Sequence, residues 1–131
     1  MEIQVFYDGG KKVSALLDGF TVHTDQPVKA GGDASAPTPF YLFLASLGTC
    51  AGFYVKEFCD QRSIPTDKIH LNMDYEYDPL NNMIAKFIIH IHVPQDFPAQ
   101  YDNALIKTAS LCAVKRHLNA DIENEITVVR S

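Results

Sequence analysis

Three thiols, Cys50, Cys59 and Cys112, are the residues of this 131-residue chain best suited to covalent chemistry. A thiolate is a strong nucleophile that oxidises through sulfenic acid to a disulfide, so two cysteines brought together by a fold make a redox pair. Cys50 stands in "SLGTCAGFYV", within sixteen residues, Phe40 to Val55, that carry no formal charge. Cys59 follows nine positions later, which on one helix is about 180° round and ~13 Å along, so these two cannot bond to each other. Cys112, in "TASLCAVKRHL", is followed one turn on by Lys115 and Arg116, cations that favour a thiolate. Each thiol also reads as a small buried hydrophobe, Cys59 above all, near the end of its helix.

The elements that must position these residues are readable from spacing. "EIQVFYD", "KKVSALLD" and "GFTVHTD" are short extended pieces separated by "DGG" and by Asp18-Gly19, which predicts a three-stranded meander. "QPVKAGGDASAPTP" has no periodicity and is long for a connection, which marks it as a functional loop. Thr38 then serves as N-cap with Pro39 at the first helical position, and the helical pattern runs to about Arg62 before "SIPTD" stops it. The apolar positions of "IHLNMDYEYD" and "MIAKFIIHIHV" align when Tyr75 faces Phe87, Met73 faces Ile89 and Leu71 faces Ile91. The same register sets Glu76 opposite Lys86 on the other face. Ala85 is counted with the apolar set of the second strand. A second helix is expected from about Ala99 to Leu118, and "DIENEITVV" as a closing strand. This order predicts one α+β domain, residues 1–131, with antiparallel sheet.

Bulk properties narrow the function. A formal charge of −5 with 47% hydrophobic and 21% charged residues offers no attraction to nucleic acid or to anionic membranes. The N-terminus has no signal- or transit-peptide pattern, which predicts a cytoplasmic protein. An odd cysteine count in a reducing compartment argues against a structural disulfide framework. Twenty-two residues from Ala34 to Val55 are uncharged, but Pro37 and Pro39 break the first third and Lys56 and Glu57 follow at once, so a helix buried on most sides is expected rather than a membrane span. The hairpin register also puts His70, His90 and His92 on one strand face, a spacing possible for zinc. That face is polar and outward and brings no completing cysteine or carboxylate, so no metal and no cofactor is expected.

The "GGDxxxPxP" loop, the small-residue "LASLGTC" helix and the second cysteine in "TASLCAVKRHL" together closely resemble the OsmC/Ohr family, the osmotically inducible protein C and organic hydroperoxide resistance proteins. The resemblance implies an intertwined homodimer in which curved antiparallel sheets surround two central cysteine-bearing helices. It implies that Cys50 attacks an organic hydroperoxide to give a sulfenic acid, that Cys112 condenses with it to a disulfide, and that a dithiol reductant reopens the bond. Phe40, Phe43 and Phe53 would line a pocket suited to a greasy peroxide.

The chain departs from the family at two positions. In the active peroxidases an arginine from the N-terminal strands pairs with the thiolate and a glutamate opening the cysteine helix orients it. Here no arginine precedes Arg62, and Phe40 stands where the glutamate would fall. Desolvation without that charge pair raises a thiol pKa. His23, Glu57, Lys115 and Arg116 are the residues able to support a thiolate in their place. Each also has a bland role, as a surface strand histidine, a solvated carboxylate near a helix end, and a basic last turn favoured by the helix dipole. The second function consistent with these departures is a non-enzymatic dimer that binds a small apolar or electrophilic ligand.

Overall fold

Alternating side chains and glycine-bearing turns build the N-terminal strands as expected. In a computed structural model, which describes residues 1–111, 114, 117, 118 and 130, the chain divides into two compact units, Met1–Ala45 and Ser46–Ser131. The first holds β1 (Gln4–Gly9), β2 (Lys12–Leu17) and β3 (Phe20–Thr24), an antiparallel sheet in the order β1-β2-β3. Asp18 and Gly19 join β2 to β3 with φ of 48° and 79°, the two positive values that a tight hairpin turn requires. Pairing sets Phe6 against Ser14 and Ser14 against His23, one row across all three strands.

The long loop that follows is organised by one carboxylate. Asp25, fully buried, accepts hydrogen bonds from the backbone N–H groups of Gln26, Asp33 and Ser35 and from the Ser35 hydroxyl. Val28–Ala30 form a single 3₁₀ turn that ends at Gly31, φ 90°. Gly32 passes so close to Gln26 that a Cβ would lie 2.0 Å from its carbonyl oxygen, which is why no other residue fits the second position of "GGD". Asp33 pairs with Lys12 at 3.2 Å. The segment read from sequence as an unpatterned loop is thus a closed, hydrogen-bonded structure.

Helix α1 (Pro39–Asp60) begins as expected, with the Thr38 hydroxyl accepting from the Tyr41 N–H at 3.2 Å. Leu44, Leu47, Ala51, Val55, Phe58 and Cys59 are its buried residues, a stripe at helical spacing. Other apolar residues of the helix lie open among the described residues: Phe40, Tyr41 and Phe53 are exposed, Phe53 to 58%. The expectation of a helix buried on most sides therefore does not hold for a single chain, because a helix packed by one layer buries only one face. By length and composition α1 is also apolar enough to cross a membrane. The last part of the stripe packs inside the second unit, where Val55, Phe58, Cys59, Phe97 and Leu105 form a core flanked by Ile69, Leu71, Ile91 and Tyr101. The Arg62 guanidinium lies 3.7 Å over the Phe58 ring and donates to the Phe58 carbonyl at 3.0 Å, fastening the chain where α1 ends.

Strands β4 (His70–Tyr77) and β5 (Ile84–His92) pair antiparallel in the expected register, Leu71 to Ile91, Met73 to Ile89, Tyr75 to Phe87 and Glu76 to Lys86. A shift after Glu76 then pairs Tyr77 with Ile84, so Ala85 leaves the inward set and is exposed. The bulge adds a residue to β5 and reverses the alternation at its start. Helix α2 (Asp102–Ala109), entered through a 3₁₀ turn at Ala99–Tyr101, forms the first part of the expected 99–118; Ser110 and Leu111 make a turn, Val114 is again helical, and residues 112, 113, 115 and 116 lie outside the described residues. Ser110 turns its hydroxyl back to the Ile106 carbonyl, and Leu111 N–H bonds to Thr108 in a tighter three-residue step. The expected closing strand "DIENEITVV" lies outside the described residues.

Candidate functional site

Of the three thiols, the structure describes two, and it separates them clearly. Cys59 is fully buried in the core beside Val55 and Phe58, and burial, reinforced by the Asp60 carboxylate next to it, pushes its thiol pKa up. It is a packing residue, as its bland reading held. Cys50 is partly exposed. It sits on α1 three residues after buried Leu47 and one before buried Ala51, about 60° and 100° round the helix from them, at the border of the packed stripe. Cys112, Lys115 and Arg116 lie outside the described residues.

The supporting candidates take different positions. Glu57 is exposed on α1. Lys56, the only cation on α1, is committed to Asp60 at 2.8 Å, and that hydrogen bond holds its own pKa up. His23 is exposed on β3, but its Nδ1 contacts the Ser14 hydroxyl at 2.9 Å, and Ser14 in turn donates to Asp8. Sequence reasoning singled out His23 without these partners. Strand alternation was the signal that could have found them, since Asp8, Ser14 and His23 all fall on the face of the Phe6 row.

Among the pocket candidates, Phe40 stacks on Phe43 with ring centroids 5.9 Å apart, and Phe53 meets the edge of Tyr54 at 5.7 Å. None of the three lines a cleft of about 750 Å³ in the second unit. Its apolar walls are Leu47 and Ala51 of α1, Phe87 and Ile91 of β5 and Leu105 and Ile106 of α2. Cys50 does not line this cleft, although Leu47, one of its walls, lies three residues before it on α1. The three histidines of the hairpin share a face as read: His70 stacks on His92 at 4.4 Å and His90 lies 6.5 Å from His92. Among the described residues no group of three His, Cys, Asp or Glu side chains is placed to hold a metal ion.

Comparison with known proteins follows the same residues. The family model described as OsmC-like protein matches residues 32–127, which begins in the "GGD" loop. A crystal structure from Psychrobacter arcticus, of a protein named for an osmotic stress induced and detoxification response, is 21% identical with a TM-score of 0.72, covering 91% of this chain and 88% of that one. An OsmC like protein from Mycoplasma pneumoniae is 15% identical, TM-score 0.69, covering 92% and 87%. The organic hydroperoxide resistance protein OhrB of Bacillus subtilis is 18% identical, TM-score 0.53, covering 92% and 93%. At these identities the likeness is one of fold. No curated protein matches the sequence.

Proposed function

Because this chain belongs to the OsmC family, a family that includes organic hydroperoxide resistance proteins, we propose that it reduces organic hydroperoxides with its own thiols. The observation that carries this reading is the contrast between the two described cysteines: Cys59 is sealed in the core with its pKa raised, whereas Cys50 is partly exposed on the helix that the "GGD" loop leads into. The Cys50 thiolate attacks the outer oxygen of the hydroperoxide, the O–O bond breaks, and the alcohol leaves as Cys50 becomes a sulfenic acid. The Cys112 thiol then displaces water to form a disulfide, and a dithiol reductant restores both. All electrons come from thiols, so the cycle needs no metal and no cofactor. His23 and Glu57, with Lys115 and Arg116, are the groups assigned to support the thiolate in place of the missing arginine.

Two further parts of the reading rest on the shape of α1 and of the match. The exposed Phe40, Tyr41 and Phe53 are the surface that a second copy would cover, which supports a homodimer with Cys50 near its interface. The family match runs across the boundary between Ala45 and Ser46, which supports treating 1–131 as one domain.

The test is stoichiometric cumene hydroperoxide added to the reduced protein, followed by free-thiol titration and intact mass. Oxidation of Cys50, and its linkage to Cys112 within minutes, is expected, and Cys50→Ser abolishes peroxide consumption. Thiols that stay reduced overturn the reading. A second reading, a non-enzymatic dimer that binds a small apolar or electrophilic ligand, is favoured by the apolar cleft of about 750 Å³ between α1, β5 and α2, which Cys50 does not line. It predicts saturable ligand binding that survives Cys50→Ser.

A further inference from the structure

The polar row of the N-terminal sheet carries chemistry that the thiols do not account for. Ser14 is only 1% exposed, on the central strand, and its hydroxyl lies between the Asp8 carboxylate and the His23 ring. A carboxylate can only accept, so the single Ser14 proton goes to Asp8. What remains on the Ser14 oxygen is lone pairs, and the 2.9 Å contact with His23 is therefore an Nδ1–H donating to Ser14. A neutral imidazole with its proton on Nδ1 has its lone pair on Nε2, and His23 is exposed.

We propose that Asp8, Ser14 and His23 form a proton-accepting site, in which the carboxylate and hydroxyl fix the His23 tautomer and Nε2 takes the proton of a weakly acidic S–H or O–H donor, a thiol or an alkyl hydroperoxide. In that step the donor S–H or O–H bond breaks, an N–H bond forms at Nε2, and the donor becomes a thiolate or peroxide anion. The imidazolium keeps its Nδ1–H on Ser14, through which the Asp8 charge stabilises it. Ser14 itself is no nucleophile, because it is buried in the middle of the chain of bonds rather than exposed at its end. The imidazole is the working terminus, with Asp8 and Ser14 as positioning residues. The site deepens the assignment of His23 as a thiolate-supporting group and rests on that reading for its role in turnover, while the tautomer and the proton acceptance stand on the hydrogen bonds alone.

Ring-¹⁵N spectra of the full chain, recorded in a Cys50→Ser background so that no oxidation intervenes, test it directly. The Nδ1–H tautomer of His23 is expected to dominate, and Ser14→Ala and Asp8→Asn are each expected to return it to a mixture. Asp8 is exposed, so its variant keeps the test available if removal of the buried hydroxyl impairs folding. Titration with cumene hydroperoxide is expected to shift the Nε2 resonance in the parent and not in the Ser14→Ala chain. A dominant Nε2–H tautomer, a tautomer unmoved by either variant, or an Nε2 resonance that ignores the peroxide overturns the proposal. If Cys50 is inert in the unsubstituted chain, the hydroperoxide reading fails and the ring spectra alone decide the site.

Discussion

Ser35 reaches the Asp25 carboxylate twice, through its N–H at 3.1 Å and its hydroxyl at 2.6 Å, and so closes the loop onto the residue that starts it. The Ser35 hydroxyl, then the Gln26 and Ser35 N–H groups, hold the Asp25 carboxyl down to about 2 from an ordinary 3.8. Because the folded value is the lower one, this group's stabilisation is complete above about pH 4 and is lost as pH falls towards 2. Thermal melts followed by circular dichroism across that window should show the melting temperature falling. Asp25→Asn should lower the melting temperature at neutral pH and flatten the acid limb. An unchanged acid limb in the variant would remove Asp25 from the explanation.

Two glycines should respond in opposite directions to the same methyl group. Gly32→Ala drives a Cβ to 2.0 Å from a backbone oxygen, which can only be relieved by moving the loop, so a loss of about 1–3 kcal/mol in urea unfolding is expected. Gly52→Ala meets nothing within 4 Å among the described residues and replaces a helical glycine, so a single chain gains up to about 1 kcal/mol. If a second copy packs on this face of α1, the same alanine instead weakens the dimer, which sedimentation over a concentration series would reveal.

Brief alkylation of the reduced protein with iodoacetamide, mapped by peptide mass, should label Cys50 well before Cys59. Burial both blocks the Cys59 sulfur and keeps it protonated. Cys59→Ser should cost about 1–3 kcal/mol by placing a hydroxyl in an apolar core, and Cys59→Ala less. Equal labelling of the two thiols would contradict the contrast on which the functional reading depends.

Much of this arrangement is legible in the residues themselves, for identifiable reasons. The Thr38-Pro39 start of α1 and the pairing of Tyr75 with Phe87 depend on local chemistry and a two-residue period, and both appear as expected. Departures arise where a distant or competing partner intervenes. Asp25 binds atoms eight and ten positions away, which no periodicity encodes. Beyond Ala109 the helical pattern is interrupted by a turn at Ser110 and Leu111, which the apolar spacing of the sequence does not announce. The exposed faces of α1 look like core in sequence because composition records apolar character but not what covers it. Among the site residues, the thiol contrast needed burial to be seen, and the partners of His23 needed a strand register.

The β4–β5 hairpin has a kinetic meaning as well. Its strands are adjacent in the chain, Glu76 faces Lys86 on one side while Met73 faces Ile89 on the other, and a slip by one residue would turn His70, Asn72 and Asp74 towards the core. Such a segment loses little loop entropy on closing and forms within ~1–10 μs, before α1 and α2 can find their places. It is therefore the natural nucleus of the second unit. Conservative truncations at Tyr75 and Phe87 should slow folding, whereas Leu105→Ala, which removes a late contact of α2, should mainly speed unfolding.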